Sequence, residues 1–164
     1  MNLSGQIRRI IVLGIYTIGI SLVCNYGFAS ITLDGSFIEI DDSVASRSLA
    51  QWGNELALMR TIGMNTVITQ IARYDSTVYY PSTTTGVSQS GNQPLEKILT
   101  VADTTGMTVY LGLYYDDSWW SNETNVTYLT TLTIKTKSVI DELWSLYSSH
   151  PSWKGWYIST EPDN

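Results

Sequence analysis

Two joints in the chain are nearly the same words. Thr61-Ile62-Gly63-Met64-Asn65-Thr66-Val67 and Thr105-Gly106-Met107-Thr108-Val109 each leave an amphipathic segment, pass through Gly-Met and enter a β-branched run. A glycine just past a helix end, followed at once by a strand, is the return leg of a βα unit, and its repetition makes strands and helices alternate. Four strands are predicted, over residues 35–40, 66–72, 108–114 and 153–161. Asp41-Asp42-Ser43 caps a first helix, in which Ala45, Leu49, Trp52, Leu56 and Met59 recur at four-and-three spacing up to Gly63. Pro94 opens a second, with Leu95, Ile98, Leu99 and Ala102 on one side and Gly106 past its end. A third runs from about Tyr128 to Ser149 on Leu132, Val139, Ile140, Leu143, Trp144 and Tyr147, and stops before His150-Pro151. Residues 73–93, rich in Ser, Thr and Gly, read as a long polar loop.

This alternation predicts an α/β fold with a parallel sheet. A complete (β/α)8 barrel of the TIM type needs roughly 250 residues. Residues 30–164 are therefore expected to be the N-terminal half of such a barrel, four strands and three helices, truncated after strand four. The alternative is a self-sufficient open sheet of flavodoxin-like layout.

Period-two alternation assigns the strand faces. Ile38 and Ile40, Val67, Thr69 and Ile71, Val109, Leu111 and Leu113, and Trp156 and Ile158 make a largely apolar face that can take the helices. The opposite face gathers Glu39, Gln70, Tyr114 and Glu161 near the C-terminal strand ends. Polar residues recurring on one face of a buried parallel sheet need partners, either one another or a ligand. The C-terminal face is also where barrels of this kind carry their sites. The loops that follow add Tyr74 and Asp75 after strand two, Tyr115, Asp116 and Trp119 after strand three, and Asp163 and Asn164 beyond Glu161. Rings that combine an apolar face with a polar tip can stack on sugars, and carboxylates accept from hydroxyls. Tyr79, Tyr80 and Trp120 read equally well as a rim packed on itself, and Glu161, Asp163 and Asn164 as an ordinary strand-to-helix turn. The acidic run around Asp116 fits no recognised calcium loop. No metal or other cofactor is expected.

Residues 1–29 read as a secretory signal, with Arg8 and Arg9 ahead of an apolar run from Ile10 to Val23 and small residues at Gly27 and Ala29. Export is expected, with an uncleaved anchor or acylation at Cys24 as alternatives; Cys24 is the single cysteine, so no disulfide framework is available. The formal net charge of −6 argues against nucleic-acid partners and against membrane contact beyond the leader, because both need basic patches. It suits a carbohydrate ligand. Eleven Tyr and six Trp against two Phe fit that chemistry as well.

Taken in order, Gly35-Ser36-Phe37-Ile38-Glu39, the Trp52/Glu55/Met59 helix ending in Gly63-Met64, Val67-Ile68-Thr69-Gln70 with Tyr74-Asp75, the 109–114 strand and Gly155-Trp156-Tyr157-Ile158-Ser159-Thr160-Glu161 resemble the bacterial family catalogued as domain of unknown function 4434. The resemblance covers residues 35–164. It implies a (β/α)8 barrel and glycoside hydrolysis. Retaining barrel glycosidases carry their acid/base Glu after strand four, which falls on Glu161, although their common Asn-Glu pair is Thr160-Glu161 here. The competing expectation is an exported carbohydrate-binding domain, or a degenerate barrel, that needs no acid at position 161.

Overall fold

The computed structural model describes residues 33–161. The expected leader over residues 1–29, Cys24 within it, and Asp163 and Asn164 lie outside the described residues.

The chain opens with strand β1 (Gly35–Ile38), and Asp41 then caps α1 (Asp42–Ala45) by accepting from the Val44 N–H. Sequence periodicity predicts one helix from here to Gly63, but the structure breaks it. Ser48 starts a separate helix, α2 (Leu49–Thr61), through a reciprocal capping box with Gln51, and a cap that satisfies two orphan donors outweighs continuation of the first turn. The break turns Leu49 outward, 48% exposed, while Ala45, Trp52, Leu56 and Met59 stay buried. Substituting Ser48 by Ala removes one of those bonds, and urea titration should show a loss of about 1 kcal/mol.

Strand β2 (Thr66–Thr69) is shorter than expected. The expected loop over residues 73–93 instead holds β3 (Arg73–Tyr74), β4 (Thr77–Val78) and β5 (Ser88–Gln89). Then come α3 (Pro94–Thr105), closed by Gly106 at φ 68°, and β6 (Thr108–Gly112). The third predicted strand ends at Gly112. Tyr114 and Tyr115 form a separate β7 (Tyr114–Tyr115), which joins β3, β4 and β5 in a second small sheet of order β5-β4-β3-β7. A short α4 (Trp119–Asn122) precedes α5 (Val126–Tyr147), whose first N–H groups are capped by Asn125. Strand β8 (Trp153–Tyr157) is the last described element.

The main sheet has order β1-β2-β6-β8, with every neighbouring pair parallel. Chain order and spatial order coincide, as alternating βα units require. Val67, Thr69, Val109 and Leu111 from the strands and Trp52, Leu56, Leu95, Ile98, Leu99, Val139 and Leu143 from α2, α3 and α5 are all buried at 0% exposure. Trp144, expected on the buried stripe of α5, is 61% exposed and packs its ring on Trp153. The opposite sheet face is open, with Phe37 54% exposed.

At the turn before β8, Asp103 Oδ2 lies 2.7 Å from His150 Nδ1, and Asp103 Oδ1 accepts from the Ser152 N–H at 2.9 Å. This pins α3 to the start of the last strand, at the sheet end away from Glu161, where His150 has a structural role. Among the described residues no helix is long and apolar enough to cross a membrane.

Candidate functional site

Parallel strands that end at one level deliver their following residues to one place. A cleft of about 480 Å³ forms there, and it takes Glu39 and Asp41 from beyond β1, Gln70 from beyond β2, Tyr74 from β3, Tyr115 from β7 and Glu161 from beyond β8. Five residues predicted from sequence, Glu39, Gln70, Tyr74, Tyr115 and Glu161, thus share one cavity. Tyr79, Asp117, Trp120, Tyr157 and Ser159 complete the lining.

Glu161 is held at both ends. Tyr157 donates its hydroxyl to Glu161 Oε1, and the Trp119 indole N–H donates to the Glu161 main-chain carbonyl at 3.0 Å. Between them, Ser159 donates to the Gln70 carbonyl at 2.7 Å and accepts from the Leu113 N–H at 3.1 Å. The strand ends of β2, β6 and β8 are therefore tied together under the cleft. The Tyr157 ring packs edge-on against Phe37, with centroids 5.0 Å apart. Burial, then its bond to Glu161, pushes the Tyr157 hydroxyl up to about 12, so it remains a donor across the physiological range.

The opposite wall is aromatic. Tyr74 and Tyr115 stack at 6.1 Å with their planes 30° apart, and Tyr74 donates to Asp117 Oδ2 at 2.6 Å. That bond, and after it partial burial, raises the Tyr74 hydroxyl to about 12. Trp120 stands over the cleft with 57% of its surface exposed.

Four other predicted site residues stand elsewhere. The break at Leu113 turns Tyr114 away from the cleft; it is 1% exposed, and its hydroxyl accepts from Lys135 Nζ at 2.7 Å and donates to Asp116 Oδ2 at 2.5 Å. Asp116 also accepts from the Tyr128 hydroxyl and the Ser118 N–H, each at 2.9 Å. Burial alone would raise its carboxyl, but the bonds from Tyr114, Tyr128 and Ser118 and the nearby Lys135 outweigh it and hold the group below its ordinary value. Trp119 is 7% exposed, so it supports Glu161 from behind and offers no open ring face. Asp75 lines a neighbouring pocket with Asp116, Tyr128 and Lys135.

Strand alternation puts Tyr157 and Glu161, four residues apart, on one face of the last strand, but it does not by itself mark Tyr157 as the partner of Glu161. It misses Asp117 because the relation of that residue to Tyr74 depends on the pairing of β3 with β7. Among the described residues no group of three or more His, Cys, Asp or Glu could hold a metal ion.

Residues 33–164 match the model of the family described as "Domain of unknown function (DUF4434)". No curated protein matches the chain. Among solved structures, the chain is similar to a protein of Bacteroides thetaiotaomicron described as a "putative alpha-L-fucosidase", with 27% identity and a TM-score of 0.64. The similarity covers 78% of this chain and 41% of that one, so the chain spans less than half the length of this glycosidase-like neighbour.

Proposed function

This chain belongs to the DUF4434 family, and we propose that residues 33–161 form the N-terminal part of a (β/α)8 glycoside hydrolase whose carbohydrate site is the cleft around Glu161. The observation that carries the proposal is the delivery of Glu161 from the end of β8 to a cleft walled by Tyr74, Tyr115 and Trp120. The sequential parallel sheet and the likeness to a longer glycosidase-like chain support the barrel.

In this proposal Glu161 gives a proton to the leaving glycosidic oxygen and then takes one from the attacking water. With Oε1 engaged by Tyr157, the other carboxylate oxygen is the one that serves. Tyr157 and Trp119 fix the carboxylate's direction, and the aromatic wall fixes the sugar. A retaining mechanism needs a second carboxylate roughly 5 Å away as nucleophile. Glu39 shares the cleft, but it follows β1, at the opposite edge of the sheet from β8. We assign the nucleophile to barrel strands beyond these four, and the 164-residue chain alone should not hydrolyse aryl glycosides. Hydrolysis by that chain, lost in Glu161→Gln, would refute the half-barrel assignment.

Ligand binding tests the cleft without requiring turnover. Oligosaccharides titrated while the intrinsic tryptophan fluorescence is followed, with Trp120→Phe identifying the cleft's share of the signal, should bind, and Tyr115→Ala should weaken them by roughly 1–3 kcal/mol through loss of a stacking ring. Glu161→Gln, nearly isosteric, should change affinity only a few-fold. Unchanged binding in Tyr115→Ala would show that sugars do not bind in this cleft.

A further inference from the structure

The charge in the cleft is of one sign. Glu39, Asp41, Asp117 and Glu161 all line it, and among the described residues no Lys, Arg or His does. Three of these carboxylates have donors: Asp41 accepts from the Val44 N–H and the Ser43 hydroxyl, Asp117 from Tyr74, and Glu161 from Tyr157. Each donor is a neutral group, so the bonds satisfy lone pairs and leave the net charge in place. Glu39 accepts no such bond among the described residues. A concave site with one sign of charge and partly apolar walls focuses its field and concentrates ligands of the opposite sign.

A metal ion and an organic cation would both answer that field, and the geometry separates them. A metal requires carboxylates that converge, and no three of the described acidic groups do so. Carboxylates spread along a cleft beside stacked rings fit a ligand that spreads its positive charge and offers flat faces between. Ammonium groups are also attracted to the faces of Tyr and Trp rings, and here Tyr74, Tyr115 and Trp120 stand within the same cavity.

We propose that the cleft takes glycans bearing free primary amines, of the glucosamine type, in preference to neutral N-acetylated glycans and to uronic-acid glycans. The proposal rests on the carbohydrate assignment of the cleft and names its ligand class.

The test titrates the chain with three size-matched disaccharides, one of glucosamine, one of N-acetylglucosamine and one of a uronic acid. It is run at about pH 6, where such amines are protonated, and NMR signals of Trp120 and Tyr115 report the site. The glucosamine disaccharide should bind roughly tenfold more tightly than its N-acetylated counterpart, and the uronate most weakly. The advantage should shrink in Glu39→Gln and at about 0.5 M salt. It should persist in Asp141→Asn, an exposed carboxylate on α5 paired with Lys137. Equal affinity for the amine and the N-acetylated sugar would overturn the proposal and leave the carbohydrate assignment standing. An advantage untouched by Glu39→Gln, or removed by Asp141→Asn, would also overturn it, since attraction would then come from the whole surface. If none of the three sugars perturbs Trp120 or Tyr115, the carbohydrate assignment itself falls.

Discussion

Gly112→Ala should lower the stability of the domain by about 3 kcal/mol, or roughly 10 °C in melting temperature, the upper range for forcing an extra carbon into a packed site. A Cβ at this position would lie 2.2 Å from the Gln70 carbonyl oxygen and 2.3 Å from that of Thr69. Both obstacles are backbone at the end of β2 and the residue after it, so no side-chain rotation relieves the clash. The Gly112 N–H also donates to the buried Thr69 hydroxyl at 3.1 Å, a bond that requires the close approach. Because Gln70 and the next residue, Leu113, both hold Ser159, the displacement should reach the floor of the cleft and weaken sugar binding as well. Gly53→Ala is the control with the opposite sign. It lies inside α2 with nothing within 4 Å of its added carbon, and it should gain about 0.5–1 kcal/mol from helix propensity. Thermal melts of the two variants check both signs.

The second large effect belongs to Glu142 on α5. One oxygen accepts from the Tyr80 and Ser82 hydroxyls at 2.8 and 2.7 Å, and the other from the Thr83 and Thr84 N–H groups at 2.8 and 3.1 Å. A single carboxylate thus fastens the segment that follows β4 to the long helix. The Thr83 and Thr84 hydroxyls also lie within bonding distance, so Glu142→Gln places a donor where six donor groups converge, and it should cost about 2–3 kcal/mol at pH 7. Burial by itself would raise the Glu142 carboxyl, but the bonds from Ser82, Tyr80 and Thr83 outweigh it and bring the group below 4.5. A group depressed on folding contributes stability above its unfolded value and loses it as pH falls through the folded one. The gap between wild type and Glu142→Gln should therefore be full at neutral pH and close below about pH 4.5, as urea midpoints measured against pH would show. Asp103 and Asp116 are also depressed, despite burial, by the bonds they accept. Residual acid sensitivity should therefore persist in the variant.

The main sheet and its helices were legible because their signals are long and local. Leu95, Ile98, Leu99 and Ala102 trace a full helical stripe between Pro94 and Gly106, and the paired Gly-Met joints mark where strands begin. The break before α2 was legible in principle, since Ser48 and Gln51 carry the spacing of a capping box, but the stripe from Ala45 to Met59 runs across it. The small sheet left no local signal. Each of its strands is two residues long, too short for any alternation, and Arg73 meets Tyr114 only through pairing across the fold.

The same limit divided the candidate residues. Glu39, Gln70 and Glu161 follow strands of the main sheet, where alternation is a sound guide to direction. Tyr114 is separated from β6 by a non-strand residue, and one lost step of pleat reverses a side chain. Asp116 and Trp119 were recognised as polar and aromatic residues close to the site. Their burial, which converts them from ligand contacts into supports, depends on α5 and on Glu161 arriving from elsewhere in the chain.

In the proposed site, a sugar bound in the cleft is presented to Glu161. A crystal structure of the chain with a bound oligosaccharide tests it most directly. A sugar face should lie against Tyr115 or Trp120, with a glycosidic oxygen roughly 3 Å from the Glu161 carboxylate oxygen that Tyr157 leaves free. A sugar seated in the cleft with its glycosidic oxygens turned away from Glu161, or one bound outside the cleft, would contradict it.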